Sequence, residues 1–284
     1  MNHSFSIVDS HVHFWNQQRL NYPWLTGVPA LNRAFLPDEY TNATIAANVS
    51  KMIFVECGCE ASQSFDEVNW IGELAAREPR LKGIIAQASV ERGSAVHDEL
   101  TRLAKNPLVK GLRRNLQAET DANFCLRPDF IEGVRALAEF KFTFDLCIVH
   151  YQLPAVIELV HRCPEINFVL DHCGKPAIRE HQLDPWRQHI CELAVLPNVA
   201  CKISGLLTEA DWANWQPADL QPFVQHAIDS FGFDRVMFGG DWPVLTLAGD
   251  YARWQAALDF CLADAGESDL QKLFQTNAER TYRI

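Results

Sequence analysis

The sequence has little of several features that would assign a protein to a class at once. No uninterrupted apolar run approaches the roughly 20 residues needed to cross a bilayer, and no charged start is followed by an apolar segment. We therefore expect a cytosolic (cytoplasmic) protein without membrane contact. Lysine and arginine form no basic stripe and the formal net charge is -11, which argues against nucleic acid as a partner.

Disulfides are not expected, although the chain has nine cysteines. The count is odd, the chain is long, and Cys147 and Cys201 lie inside apolar, strand-like runs. These features are typical of reduced thiols. Cys57 and Cys59 form a C-x-C pair, but without a matching second pair this is a weak signal for a metal site.

Linkers and phosphate-binding glycine loops are also missing. No proline- or serine-rich tract, charge block or low-complexity segment divides the 284 residues, of which 48% are hydrophobic. One domain over residues 1–284 is therefore expected. No G-x-G-x-x-G follows the first apolar run, which disfavours an open doubly wound sheet, although that fold stays the alternative.

Short apolar or β-branched runs recur along the whole chain. Most are continuously apolar, as strands covered on both faces are, and most precede a segment with helical spacing such as Leu153, Ile157 and Val160. The predicted strands are residues 5–9, 52–56, 83–88, 109–113, 143–149, 167–171, 199–203 and 235–239. Eight strand-helix units of about 30 residues predict an α/β protein with a (β/α)8 (TIM) barrel.

One long irregular insertion interrupts this repeat. Residues 14–38 are rich in tryptophan, tyrosine, proline and asparagine, and they directly follow the first predicted strand. Because the carboxyl ends of the strands form the mouth of such a barrel, we expect this insertion to lie over the mouth.

Residues capable of catalysis follow the predicted strands, where a barrel of this kind holds its active site. His11 and His13 are two apart on an extended strand, so their side chains point the same way. With His172 after strand 6 and Asp241 after strand 8, they form a set of N and O donors with room for water. We predict that these four residues are catalytic and are also candidate ligands of one divalent ion, with Zn favoured and metal-independent catalysis left open.

Structural roles for the same residues have to be weighed against catalysis. A lone H-x-H is a weak motif, the aspartate before His172 could cap a helix, and Asp241 before Trp242-Pro243 fits a turn. The joint placement of these residues after predicted strands favours a functional site over chance.

Further residues near the expected mouth are candidates for substrate binding. A guanidinium can hold a carboxylate or a sugar hydroxyl, and aromatic rings stack on the apolar faces of sugars, although they also simply cover a barrel. The predicted substrate-binding residues are Arg113, His150, Trp15, Trp24, Glu56 and Trp242.

Several motifs resemble those of the amidohydrolase superfamily over nearly the whole chain, in the branch of sugar lactonases such as L-fuconolactonase and, more distantly, 2-pyrone-4,6-dicarboxylate lactonase. The motifs are D-S-H-V-H-F-W at 9–15, Y-P-W-L at 22–25, F-L-P at 35–37, G-L-R at 111–113, L-D-H-C-G-K-P at 170–176, C-K-I-S-G-L-L-T-E-A-D-W at 201–212, F-G-G-D-W-P at 238–243 and Y-A-R-W at 251–254.

The resemblance implies a carbohydrate-metabolising lactonase that opens an L-fuconolactone-like 1,4- or 1,5-lactone to the aldonic acid. Asp241 would take a proton from the attacking water, while His11, His13 and His172 would face the carbonyl or a metal. The sequence departs from the family pattern at two places. Either His150 or Gln152 serves the strand 5 position, and Gly240 stands where serine is common.

Two other hypotheses remain open. A decarboxylase or a lactone isomerase would keep the superfamily and change the reaction, although the segment at 204–212 favours the lactonase branch. A carbohydrate-binding protein without activity would leave the convergent histidines and aspartate unexplained. The sequence names a small-molecule lactone as partner but not its sugar, and it leaves open whether copies of the chain form a homo-oligomer.

Overall fold

The computed structural model describes residues 5–284, and a parallel sheet of eight strands forms its centre. Each strand pairs with the next along the chain, in the order β1 to β8. The strands are β1 Ile7–Val12, β2 Val49–Val55, β3 Leu81–Gln87, β4 Val109–Arg113, β5 Thr143–Leu146, β6 Phe168–Leu170, β7 Val199–Ile203 and β8 Val236–Phe238. Each overlaps a predicted strand.

The sheet closes on itself through contacts between the segments that end β1 and follow β8. The backbone N–H of Asp241 donates to the carbonyl of His11 at 2.8 Å, and that of His13 donates to the carbonyl of Trp242 at 2.8 Å. Val12 and Trp242 form a parallel bridge there. The predicted (β/α)8 barrel is therefore confirmed, and its closure joins the two segments that carry His11, His13 and Asp241.

Helices alternate with the strands and cover the outside of the barrel. They bury one apolar face each: in the helix after β5, Leu153, Val156, Leu159 and Val160 face inward. None of the helices in residues 5–284 is both long and apolar enough to cross a membrane. The α-helices are α1 Pro37–Ala43, α2 Ser64–Ala75, α3 His97–Leu103, α4 Pro128–Phe140, α5 Leu153–Arg162, α6 Trp186–Ala194, α7 Leu206–Glu209, α8 Pro217–Phe231, α9 Tyr251–Cys261, α10 Glu267–Gln271 and α11 Asn277–Tyr282.

Inward-pointing side chains fill the barrel, and the last helix extends this interior core. The inner apolar cluster contains Val8, Ile53, Ile85, Val169 and Met237 from five different strands, with Ala278 and Tyr282 of α11 packed into it. The barrel is therefore a packed core with chemistry left to its rim.

The insertion after β1 folds back over the barrel mouth, as predicted. Trp15 and Phe35 form an antiparallel bridge with backbone N–O distances of 3.1 and 2.9 Å, which ties the two ends of the insertion together. Trp15 is fully buried, and Trp24 between them keeps 38% of its surface exposed. The insertion thus supplies an aromatic wall at the mouth.

Candidate active site

The four residues predicted to be catalytic meet at the barrel mouth. The Nε2 atoms of His11 and His13 are 3.1 Å apart. Oδ1 of Asp241 lies 3.4 Å from Nε2 of His13, 3.8 Å from Nε2 of His11 and 4.0 Å from Nε2 of His172. All four side chains are nearly fully buried, so residues from β1 and from the loops after β6 and β8 form one compact cluster.

The backbone around this cluster is strained. Four residues have positive φ angles between 48° and 55°, which residues other than glycine rarely adopt. They are His172, Cys173, Lys175 and Asp241. Such conformations cost free energy and concentrate at functional sites. Gly205 after β7 lies so close that a Cβ there would collide with the His172 ring, so this loop needs glycine to admit the imidazole.

Hydrogen bonds at the far side of the rings orient them. Nδ1 of His13 donates to the carbonyl of Val55 at 2.8 Å, so its Nε2 presents a lone pair to the cluster. Nδ1 of His172 lies 2.8 Å from the Ser204 hydroxyl. Because two lone pairs 3.1 Å apart would repel each other, either one of the two Nε2 atoms carries a proton or both face a cation.

The imidazoles of His11 and His172 are neutral at neutral pH and lie beside one carboxylate. Burial lowers the pKa of His172 to about 4, although Asp241 and Asp171 oppose this, and burial also lowers the pKa of His11. Burial alone would raise the pKa of Asp241, but the attraction of His172 and His13 outweighs it and holds this pKa below its usual value. Asp241 is therefore ionised and able to accept a proton.

A buried network of charges supports the cluster from below, and sequence reasoning gave it no role. Nζ of Lys202 on β7 donates to Asp145 on β5 at 2.6 Å and pairs with Asp171 at 3.0 Å. It also lies 3.3 Å from Nδ1 of His11. The sequence contains a signal for this buried ion pair, because Asp145 and Lys202 are charged residues within otherwise apolar strands.

A second buried carboxylate, that of Asp9 on β1, connects β1 to the segment after β8. The carboxylate of Asp9 accepts hydrogen bonds from the hydroxyls of Tyr40 and Tyr251 at 2.9 and 2.8 Å and from the backbone of Gly240 at 2.7 Å. Burial raises the pKa of Asp9 to about 6, against the lowering effect of these bonds. A Cβ at position 240 would collide with Asp9 and Tyr251, which explains why glycine occupies this position.

A cavity of about 430 Å³ opens directly above the cluster. His13, His172 and Asp241 line its floor, and Trp15 and Trp24 of the insertion line one wall. The size suits a ligand of a few hundred daltons, and the aromatic wall with a polar floor is typical of a small-molecule site.

The residues predicted to bind substrate lie in three different places. Arg113, Trp15 and Trp24 line this cavity. Glu56 is buried beneath it, where Oε1 accepts from Nε of Arg113 at 2.6 Å, and Trp242 is buried against the aromatic rings of the insertion. Glu56 and Trp242 could therefore affect substrate binding only indirectly, by positioning Arg113 and the aromatic rings of the insertion.

His150 lies in a neighbouring cleft of about 330 Å³, and the described lining of the mouth cavity includes neither it nor Gln152. The Gln152 amide is committed to the backbone, since it donates to the Leu116 carbonyl at 2.8 Å and accepts from Val149 at 2.9 Å. Of the two residues, only His150 has a side chain that remains available to a ligand.

All nine cysteines are free, as predicted. The Cys57 thiol donates to the Phe14 carbonyl at 3.3 Å, and the Cys59 thiol lies 3.7 Å from the Gln87 side chain. Burial raises the pKa of both thiols, so these cysteines serve packing better than metal binding.

Glu67 on α2 is a buried carboxyl that should make stability depend on pH. It accepts from the backbone of Cys57 at 3.3 Å, and burial, together with the nearby Glu56, raises its pKa to about 8 from 4.5. Its proton is bound more tightly in the folded state, so the stabilisation is complete below about pH 4.5 and is lost as pH rises through about 8. Glu67→Gln should therefore gain stability relative to the parent between pH 5 and 9, as measured by urea unfolding.

Glu73→Gln is the matched control, because this residue lies on the same helix with 62% of its side chain exposed. It should leave the pH profile of the unfolding free energy unchanged. Parallel profiles for the parent and Glu67→Gln would show that Glu67 is ionised in the folded protein.

A closed barrel with imidazoles and an ionised carboxylate beneath one cavity at its mouth is the arrangement typical of enzymes of the (β/α)8 class. The model of the amidohydrolase family matches residues 8–284, so the chain belongs to the amidohydrolase family. The prediction of a hydrolytic enzyme from this superfamily is confirmed.

Individual relatives agree in sequence and in structure. An L-fucono-1,5-lactonase of Burkholderia multivorans is 36% identical over 255 residues, covering 86% of this chain and 84% of the relative. A solved amidohydrolase from Burkholderia multivorans with bound HEPES has a TM-score of 0.89 at 32% identity, covering 99% of this chain and 100% of the other. A second structure of an amidohydrolase from that organism, with bound zinc, has a TM-score of 0.88 at 31% identity, with the same coverage.

The residues of this site fit a divalent metal ion. Ligand atoms of His11, His172 and Asp241 all lie within 4.8 Å of one another, and the lone pair of His13 faces the same space. Imidazole nitrogen and carboxylate oxygen are donors that zinc accepts. The nearby cations Arg113 and Lys202 are balanced by Glu56, Asp145 and Asp171, so they leave the site able to hold further positive charge.

Proposed function

We propose that this chain hydrolyses a sugar lactone, L-fuconolactone-like with a 1,4- or 1,5-ring, to the aldonic acid. The observation that carries the proposal is an ionised Asp241 within 4.0 Å of three imidazoles, on the floor of a cavity sized for one sugar ring. The similarity to a relative named L-fucono-1,5-lactonase supports the substrate class.

Asp241 accepts a proton from water in the proposed reaction, and the resulting hydroxide attacks the lactone carbonyl. The attack places negative charge on the carbonyl oxygen. In the metal-free site, Nδ1 of His172 accepts from the Ser204 hydroxyl, and the N–H on its Nε2 stabilises this charge without having to reorganise. Because burial keeps the His172 imidazole neutral, it does not compete with the water to protonate Asp241.

Ring opening follows when the tetrahedral intermediate collapses. The bond between the carbonyl carbon and the ring oxygen breaks, and the leaving oxygen takes the proton that Asp241 had accepted. The product is a hydroxy acid, and Asp241 returns to its ionised form. Trp24 keeps 38% of its surface exposed at the mouth, where its ring can cover the apolar face of the sugar.

We propose that one divalent ion, zinc, binds at this cluster, with His11, His13, His172 and Asp241 as its ligands. Such an ion, when bound, polarises a carbonyl and lowers the pKa of water. The hydrogen bond from His13 to the Val55 carbonyl would fix the ring for this role.

Zinc content and thermal stability test this part of the proposal. Purified protein should carry about one equivalent of zinc, and dialysis against a chelator should lower its melting temperature, because a bound ion stabilises only the folded state. His172→Ala should lower the zinc content, whereas the control Cys59→Ser should not. A metal-free preparation with an unchanged melting temperature and full turnover would contradict zinc binding.

A substrate panel tests the reaction itself. The protein should release acid from L-fucono-1,5-lactone or a related sugar lactone, followed with a pH indicator. Aromatic carboxylic acids in the same panel, assayed for CO2, separate lactone hydrolysis from decarboxylation. Release of CO2 without acid release from any lactone would favour the decarboxylase, and binding of sugar acids with no turnover at all would favour a carbohydrate-binding protein.

A further inference from the structure

Three cationic side chains line the described part of the mouth cavity: Arg113, Arg114 and Lys175. They differ in how many of their donors are already used. Nε of Arg113 donates to Glu56 at 2.6 Å and its Nη1 to Asp171 at 3.1 Å. Its Nη2 donates to the Glu56 carbonyl at 2.7 Å, so this guanidinium is committed to the protein.

Arg114 is committed in the same way. Its Nε donates to Glu91 at 2.9 Å, its Nη2 donates to Glu119 at 2.7 Å, and its Nη1 donates to the Asn115 carbonyl. With two carboxylates already paired to it, this guanidinium carries no surplus positive charge for a ligand.

Lys175 is the cation with free donors. An ammonium has three N–H donors. Among the described residues, Nζ of Lys175 makes a single ion pair, to Oε1 of Glu209 at 3.5 Å, which is long for a charged hydrogen bond. The side chain is 20% exposed, and it borders both the mouth cavity and the cleft that holds His150.

The proposed reaction creates a need for this charge. A lactone is neutral, whereas the acid formed from it is ionised at neutral pH, so one negative charge appears in the cavity as the ring opens. The chain has a formal net charge of -11, and the ionised Asp241 lies on the floor of the cavity. An anionic product is therefore repelled unless an uncommitted cation receives it.

We propose that Lys175 binds the carboxylate of the sugar acid product, with its ammonium exchanging the long contact to Glu209 for the ligand. This inference rests on the proposed function, since it assigns the product site of the same reaction. Lys175 then distinguishes the ionised product from the neutral lactone and determines how strongly the product inhibits the enzyme.

The test compares an anionic and a neutral probe by isothermal titration calorimetry. L-fuconate carries the carboxylate, and L-fucitol is the matched polyol without it. Lys175→Met should raise the dissociation constant for L-fuconate about tenfold or more and leave that for L-fucitol unchanged, because a charge-assisted hydrogen bond is lost. Lys175→Arg keeps the charge and should stay within about threefold of the parent.

Arg179→Met is the matched control, because Arg179 is an exposed cation that borders the neighbouring cleft and is not among the described residues lining the mouth cavity. It should bind L-fuconate as the parent does. Equal weakening of both probes in Lys175→Met would indicate a structural role and overturn the inference. An unchanged dissociation constant for L-fuconate would overturn it too.

Lactone turnover by the parent, measured in parallel, separates this inference from the proposed function. If the parent turns over a lactone normally and Lys175→Met binds L-fuconate as the parent does, the product site is contradicted and the lactonase proposal stands. If the parent turns over no lactone but L-fuconate binding depends on the charge of Lys175, the lactonase proposal is contradicted and Lys175 belongs to a sugar-acid binding site. A parent that binds no L-fuconate overturns the inference.

Discussion

Asp241→Asn should lower kcat for lactone hydrolysis by about 10²- to 10⁴-fold while the barrel stays folded. The asparagine amide keeps the shape of the side chain but cannot accept a proton from water. Its neighbours are three imidazoles within 4.0 Å, and the pKa of His172 is lowered to about 4 by burial, so no other strong base lies in the cluster to replace it. Steady-state kinetics and circular dichroism on the variant check both parts.

Glu119→Gln provides the matched control for that substitution. It removes one negative charge from the wall of the same cavity, where Glu119 pairs with Arg114 at 2.7 Å, away from the histidines. Turnover should stay within about threefold of the parent, since this carboxylate is partly exposed and paired. If Asp241→Asn and Glu119→Gln had similar rates, Asp241 would not be the base.

Lys202→Met should destabilise the folded protein by about 3–5 kcal/mol, because it leaves the buried Asp145 carboxylate without its counter-ion and leaves Asp171 paired with Arg113 alone. Nζ of Lys202 is 2.6 Å from Asp145 and 3.0 Å from Asp171, and all three side chains are completely buried. Urea unfolding should show a lower midpoint with an unchanged slope. His11 should also lose its orientation, because the same ammonium lies 3.3 Å from its Nδ1.

The expected loss of stability in Lys202→Met comes from the burial of its ion pair, and an exposed ion pair provides the control. Lys51 and Glu279 form an ion pair of the same length, 2.6 Å, but with 29% and 26% of their side chains exposed. Lys51→Met should therefore cost about 1 kcal/mol or less. The double variant Lys202→Met with Asp145→Asn should recover part of the lost stability, since it removes one stranded charge. Equal losses for the two single lysine variants would contradict the account.

The fold followed from the sequence because parallel strands buried on both faces are written as continuous apolar runs. All eight were found in this way, and only their ends differ: β5 ends at Leu146, although the apolar run continues to Val149. An apolar run indicates which residues are buried, but it does not indicate where the backbone stops pairing with the neighbouring strands.

The cluster of His11, His13, His172 and Asp241 could be predicted from position alone, since the carboxyl ends of all strands meet at one rim. The residues beneath the rim could not. Whether Lys202 and Asp145 point inward and face each other depends on strand stagger in the closed barrel, which local sequence does not specify. Asp9 likewise meets Tyr251 only because β1 and β8 become neighbours on closure.

A crystal structure of the protein soaked with L-fuconate tests the central claim most directly. We predict the sugar acid in the mouth cavity, with its carboxylate between His172 and the Lys175 ammonium, adjacent to Asp241, and the ring against Trp24. Asp241 remote from the bound carboxylate, or L-fuconate ordered only in the cleft beside His150, would contradict the proposed chemistry.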